Sequence, residues 1–289
     1  MTSRLGPARR AAFIYYGLRG GPLPLVVRRR ELRLRALDPG LAGLSILHVS
    51  DLHFRGPEPW KQQALGRLES LDPDLVVFTG DFIDGREGIA AAAEVCRRLR
   101  GRLGTYAVLG NHDYHSYGII HFLRDVRAKT MRGNRRTYTP ELVSALEEAG
   151  VTVLGNASRR LKANSAPFWV IGVDDVYSGQ MDFAAAMGDV EGAGLRLLLA
   201  HSPDALEGDH PDGLDLVLAG HTHGGQICLP GGGAITTRTR LRLPRGAGVM
   251  ALKGTVLHVS AGVGATGLPL RLFCPPEASL LRLVPAGSG

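Results

Sequence analysis

Residues 45–53 read SILHVSDLH. Ser45 to Val49 form an apolar run without alternation, the pattern of a strand buried on both faces. The run stops abruptly at Asp51 and His53, two metal-binding residue types. The same junction recurs four times along the chain: DLVVFT precedes Gly80-Asp81, TYAVL precedes Gly110-Asn111-His112-Asp113, RLLLA precedes His201, and DLVLA precedes Gly220-His221-Thr222-His223. Asp51 and Asp81 are 30 residues apart, as are Asp81 and Asn111. Helical composition at 60–71 and 89–100 fills those intervals, which suit strand-helix-strand units. Parallel α/β sheets bind ligands at the carboxyl ends of their strands, so the five clusters are expected to converge on one crevice.

The rest of the chain is organised around that pattern. A basic excursion at 118–138 carries Arg124, Arg127, Lys129, Arg132, Arg135 and Arg136 against one acid, Asp125. A helix is expected at 140–149, with Pro140 in its first turn and Gly150 at its end. Strands follow near 151–154 and 168–173, and two more at 256–260 and 279–284 are assigned to a second sheet. Glycines at 231–233 and 262–267 mark loops that approach the site or one another closely.

With 289 residues, 44% hydrophobic and 21% charged, the chain can bury a sizeable core, which excludes disordered and collagenous classes. Its net charge of +7 is unevenly spread. Residues 1–35 hold nine arginines and one acid, leaving 25 basic against 26 acidic side chains elsewhere. That balance argues against a basic body wrapped by nucleic acid and separates a basic segment, 1–35, leading into the first strand, from a single domain, 36–289. Within the segment, AAFIYYGLRGGPLPLVV at 11–27 is too short and too interrupted to span a bilayer, and no cleavage site follows it. An interfacial helix near 7–19 is a physical alternative to a solvated tail. Cys96, Cys228 and Cys274 show no pairing motif and are read as buried thiols of a reducing, cytoplasmic compartment.

The clusters supply two carboxylates (Asp51, Asp81), an amide (Asn111) and four imidazoles (His53, His201, His221, His223). Seven oxygen and nitrogen ligands without a thiolate exceed one tetrahedral zinc and suit two divalent ions, Mn²⁺ foremost, with Fe or Zn²⁺ as alternatives. The spacing of two in Asp-x-His and His-x-His lets both members face one metal from an extended segment. A lone histidine is more often a hydrogen-bonded core residue, and His48 and His258 are read so.

This ordered set resembles the calcineurin-like metallophosphoesterase superfamily, whose signature is D-x-H, G-D, G-N-H-[DE], H and G-H-x-H. The resemblance implies a four-layer αββα sandwich with a dinuclear site at the carboxyl ends of the strands. It assigns the positions of Asp51, His53, Asp81 and His223 to one ion and those of Asp81, Asn111, His201 and His221 to the other, with Asp81 bridging. His112 is then the candidate to protonate the leaving oxygen or steady its charge, and Asp84 matches the position that orients it. The arginine usual after that aspartate is replaced by Gly85-Arg86. The strings HVSDLHF, AHSPD, GHTHGGQ and the closing SAGVGATGLPLRLFCPPEASLLRL are similar to the YaeI and YkuE branch, to which hydrolases of the LpxG type are related.

The implied activity is hydrolysis of a phosphodiester or pyrophosphate by a water that two ions hold and deprotonate. A lipid-linked nucleotide such as UDP-2,3-diacylglucosamine is the implied substrate, with Arg132, Arg135 and Arg136 contacting its anionic head. Soluble phosphoesters and a nuclease are the alternatives, and a non-catalytic scaffold a remote one. The expected partners are therefore an anionic phosphoester and, through residues 1–35, the inner membrane surface. Nucleic acid is not expected, and the sequence implies no protein partner.

Overall fold

The computed structural model describes residues 24–117, 134–135, 138–230, 233–252, 254–267 and 270–287. Its strands, in chain order, are β1 (Val26–Leu34), β2 (Ser45–Val49), β3 (Leu75–Thr79), β4 (Thr105–Val108), a small ribbon of β5 (His115–Ser116) and β6 (Asn134–Arg135), then β7 (Thr152–Val153), β8 (Ala157–Ala163), β9 (Ala166–Gly172), β10 (Leu195–Leu199), β11 (Leu216–Ala219), β12 (Gly248–Leu252), β13 (Thr255–Val259) and β14 (Glu277–Pro285). Two six-stranded mixed sheets result, ordered β1-β14-β2-β3-β4-β7 and β12-β13-β11-β10-β9-β8.

The apolar runs become the inner strands because every residue of β3, β4 and β11 is buried, which only a covered parallel sheet permits. Ile46, Val77 and Val108 of the first sheet meet Phe168, Val170, Leu197, Leu199 and Leu218 of the second in the central core. The opposite face of the first sheet, with Leu47, Val76 and Phe78, packs on helices α1 (Pro59–Gly66), α2 (Ile89–Arg98) and, beyond a single turn α3 (Asn111–Tyr114), α4 (Thr139–Glu148). Helix α2 forms readily because IAAAAEVCRR is rich in the best helix former, and it buries Ile89, Ala92, Val95 and Cys96 along one face. The expected helix at 60–71 ends instead at Gly66 and is followed by a 3₁₀ turn at Glu69–Leu71.

The outer face of the second sheet is covered thinly. Trp169, Ile171, Leu198 and Val217 pack on the five-residue helix α5 (Phe183–Met187) and on loops. The arrangement is the expected sandwich with its fourth layer reduced, because the β10–β11 connection holds only the 3₁₀ turn Pro203–Leu206 in place of a helix.

One assignment is corrected. Of the two tail strands, β13 joins the second sheet, whereas β14 lies in the first, antiparallel to β2 with Ser279 opposite His48 and Leu281 opposite Ile46. Its alternate residues Ser279, Leu281 and Leu283 are buried, a pattern that either sheet accepts, so nothing in its own sequence says which sheet it enters. β1 then adds parallel to β14, Val26 opposite Glu277. The amphipathic start at 7–19 and most of the 118–138 insertion, with Arg132 and Arg136, lie outside the described residues. Arg135 is described only as backbone in β6. No helix among the described residues is long and apolar enough to cross a membrane.

Candidate dinuclear metal centre

Parallel β2, β3 and β4 deliver Asp51, Asp81 and Asn111 to one end of the first sheet, and β10 and β11 deliver His201 and His221 to the same end of the second. All seven sequence-derived ligand candidates are buried there. Two glycines of the motifs are required by close approach. A Cβ on Gly110 would collide with Asp81 Oδ1, and one on Gly220 with Ser50 Oγ.

The paired motifs do not run extended, as their spacing suggested. Asp51, His53, Asp81, His221 and His223 adopt left-handed backbone conformations, with φ of 54°, 47°, 56°, 68° and 50°. Non-glycine residues pay for that geometry and hold it where the surroundings over-determine it. Here Asp113 supplies part of the constraint: its carboxylate accepts from the N–H groups of Asp81 (2.9 Å), Phe82 (2.8 Å) and Gly110 (2.9 Å), tying the ends of β3 and β4 together. Lys61 supplies another, its buried ammonium donating to Leu52 O at 2.8 Å and His53 O at 3.1 Å. Arg271 is the third. It is buried, donating to Gly264 O at 2.7 Å and Ala261 O at 2.8 Å, and its Nη2 lies 3.1 Å from His223 Nδ1. The loop it holds runs against the first motif, Gly264 N donating to Asp51 O at 2.6 Å.

The ligand-type atoms fall into two half-sites. In one, His53 Nε2 lies 3.2 Å from His223 Nε2, which is 3.6 Å from Asp51 Oδ1. In the other, Asn111 Oδ1, His201 Nε2 and His221 Nδ1 are mutually 3.1 Å apart. Asp81 Oδ2 stands 3.3 Å from both His53 Nε2 and His201 Nε2, and so faces both halves. The two members of His-x-His therefore serve different halves.

The side chains present fit a pair of divalent cations. His53 Nδ1 donates to the Asp84 carboxylate at 2.9 Å and His201 Nδ1 to Thr79 O at 2.7 Å, which turns both Nε2 atoms into the site, where a cation would take the place of any proton they carry. Asp51, His53, Asp81 and His223 form a group able to hold a metal ion. Burial disfavours charge on His201, but Asp81 and Asp51 outweigh it and push the imidazole up to about 10, the mark of a pocket with negative potential. Burial holds His221 and His223 well below the usual histidine range, so both are neutral, the ligating form.

His112 stands beside these halves. Its Nδ1 donates to Asp84 Oδ1 at 2.8 Å and its Nε2 is 3.2 Å from Thr266 Oγ1. Burial opposes charge on Asp84, yet His53 and His112 hold its carboxyl well below the usual range. Arg86 turns away to Glu141 at 2.7 Å, and Arg55 takes its place beside Asp84, Nε to Oδ2 at 3.2 Å.

Sequence reasoning missed a sixth junction. After β9 come Asp174 and Asp175, the same apolar-run-then-acid signal as the other five. Asp175 is buried near His201, one carboxylate oxygen accepting from Tyr177 N at 3.0 Å and Ser178 N at 2.7 Å. Tyr177 stacks on His221, ring centroids 5.0 Å apart, and donates to Asp204 of the AHSPD string. His48 and His258 face each other, Nδ1 to Nδ1 at 3.0 Å, between the sheets.

Residues 44–225 match the family model described as calcineurin-like phosphoesterase. The chain is 32% identical to the uncharacterized metallophosphoesterase YkuE of Bacillus subtilis, over 91% of this chain and 86% of that protein. It is 30% identical to the UDP-2,3-diacylglucosamine pyrophosphatase LpxG of Chlamydia trachomatis, over 90% of each. The phosphodiesterase YaeI of Escherichia coli is 30% identical over 87% of this chain and 86% of its own length.

Proposed function

Because the chain belongs to the calcineurin-like phosphoesterase family, it is a metal-dependent phosphoric ester hydrolase, and we propose that it cleaves the phosphodiester or pyrophosphate bond of a lipid-linked nucleotide of the UDP-2,3-diacylglucosamine kind. The observation that carries the reading of the site is Asp81 Oδ2, equidistant from His53 and His201 where the two half-sites meet. Asp51, His53, Asp81 and His223 would hold one ion, and Asp81, Asn111, His201 and His221 the other, with Mn²⁺ the proposed metal. When bound, the ions neutralise phosphate oxygens and make water acidic enough to attack near neutral pH.

The chain's own side chains do the rest. Hydrolysis joins a water oxygen to phosphorus and breaks the bond to the leaving oxygen, which must gain a proton. His112 supplies it from Nε2, because Asp84 fixes Nδ1 as a donor and stabilises the imidazolium. Arg55 counters the Asp84 charge from the solvent side. Arg132, Arg135 and Arg136 are proposed to receive the anionic head of the substrate, and residues 1–35 to hold the protein at the inner membrane surface beside a single catalytic domain, 36–289.

The substrate class draws support from the names of LpxG and YaeI, one a UDP-2,3-diacylglucosamine pyrophosphatase and the other a phosphodiesterase. Purified protein with Mn²⁺ should release UMP from UDP-2,3-diacylglucosamine and p-nitrophenol from bis-p-nitrophenyl phosphate. Turnover of the soluble diester without the lipid nucleotide would retain the hydrolase and remove the substrate.

A further inference from the structure

Positive charge is not confined to residues 1–35 and 118–138. Residues 216–276 contain no aspartate or glutamate and carry Arg238, Arg240, Arg242, Arg245, Lys253 and Arg271. Arg240, Arg242 and Arg245 are exposed on the excursion at 227–246, which leaves directly from the His221–His223 turn. Its first part doubles back, Cys228 pairing antiparallel with Ala234 and Leu229 N donating to Gly233 O at 2.8 Å. Its second part is pinned beside the site, Arg240 N and Leu241 N donating to Asp204 at 2.8 and 2.9 Å. Asp204 also holds Tyr177, whose ring lies on His221. The excursion is thus fixed relative to the metal-ligand loop.

Four large hydrophobic residues are exposed among those described: Val27 at 37%, Trp60 at 37%, Leu229 at 59% and Ile235 at 64%. All four lie at the end of the sandwich that holds the site. Val27 follows Val26, which is paired with Glu277, and Glu277 N donates to Gly262 O in the loop against Asp51. Trp60 opens α1 just after the Asp51–His53 segment. Leu229 and Ile235 stand on the two arms of the turned-back segment that follows His223. Exposed Arg28, Arg29 and Arg55 share this end. One exposed aliphatic residue needs no explanation, but four collected at one end and interleaved with arginines do.

We propose that this end of the molecule docks on an anionic lipid surface, with Leu229 and Ile235 entering the headgroup layer and Arg242 and Arg245 lying against lipid phosphates. The mouth of the metal centre then faces the bilayer. Exposed Arg28, Arg29, Arg242 and Arg245 at this end complement an anionic occupant. Aliphatic side chains as exposed as Leu229 and Ile235 are buried by penetration, which a fluid bilayer accepts and a folded partner matches only with a dedicated pocket. The inference is independent of the substrate, because it concerns a surface apart from the catalytic groups.

The test uses the full chain and vesicles of phosphatidylcholine alone or mixed with phosphatidylglycerol. Wild-type protein should co-sediment with the mixed vesicles, and tryptophan emission should shift to the blue on binding, because Trp60 is exposed and Trp169, the other tryptophan, is buried. Paired substitutions Leu229→Ser with Ile235→Ser, and Arg242→Glu with Arg245→Glu, should each weaken binding by about tenfold or more. The loss in the arginine pair should vanish in high salt while that in the aliphatic pair persists. Wild-type hydrolysis of bis-p-nitrophenyl phosphate by both pairs shows that they are folded. Equal binding by wild type and both variants would assign the affinity to residues 1–35 and overturn the proposal, as would failure of the wild type to bind mixed vesicles.

Discussion

Asp84 Oδ1 accepts a hydrogen bond from His112 Nδ1 at 2.8 Å. The same oxygen accepts from His53 Nδ1 at 2.9 Å, so one carboxylate orients both a ligand candidate and the proposed proton donor. The two roles separate by mutation. His112→Ala should keep the metal content of the wild type and lower kcat by on the order of 10² to 10⁴. Asp84→Ala should lower kcat and also weaken metal retention, roughly 10- to 100-fold in affinity, through the released His53 ring. Plasma mass spectrometry of the purified variants beside kcat decides it, and equal metal loss in both would remove the role given to His112.

Asp81 faces both half-sites, whereas His221 belongs to one. Asp81→Ala should lose both ions and all activity. His221→Ala should lose the ion of the Asn111–His201 half and fall to background activity with about one ion retained. Added Mn²⁺ at a hundredfold excess over its Kd should stabilise the wild type by about 2.7 kcal/mol. A melting-temperature rise in Asp81→Ala equal to that of the wild type would contradict the bridging position.

Lys61 holds the Asp51–His53 segment from behind, its Nζ bonded to two carbonyls and to Glu58 Oε2 at 2.9 Å. Lys61→Met leaves those acceptors without their donor inside the protein, which costs roughly 3 kcal/mol. Urea denaturation should show it as a lowered midpoint with unchanged slope. A loss below about 0.5 kcal/mol would mean that water replaces the ammonium at no structural expense.

The His48–His258 pair makes stability depend on pH. Burial lowers His48 to about 3 and holds His258 well below the usual range. The unfolded chain therefore binds protons below pH 6.5 that the folded protein refuses. Stability present above that pH is lost as pH falls, by about 1.4 kcal/mol per unit for each histidine. His48→Gln should flatten the slope between pH 6.5 and 4.5 by one histidine's share, read from urea midpoints at each pH. Parallel slopes for wild type and variant would show that His48 is charged in the folded protein.

The seven ligand candidates were legible because they follow five buried strands within a few residues. A run apolar on both faces announces a parallel strand, and the next polar residue lies at its carboxyl end whatever the rest of the chain does. Asp174 and Asp175 gave the same signal after β9 and went unread. Lys61, Arg271 and Tyr177 gave none. A lysine in a short helix reads as a solvated cation, and only the carbonyls of Leu52 and His53 lying against α1 turn it inward.

The order of the five strand-end clusters, the α/β class and the donor set were thus written in the linear sequence, because they depend on patterns local to single elements. The membership of β14 in the first sheet, the left-handed backbone at five ligand positions and the division of His221 from His223 between half-sites were decided only in three dimensions. So was the collection of four exposed hydrophobic residues at one end. Each depends on partners contributed by other elements of the chain, and their approach is set by how two sheets pack. Close packing admits one arrangement of those partners, and no stretch of chain carries that information alone.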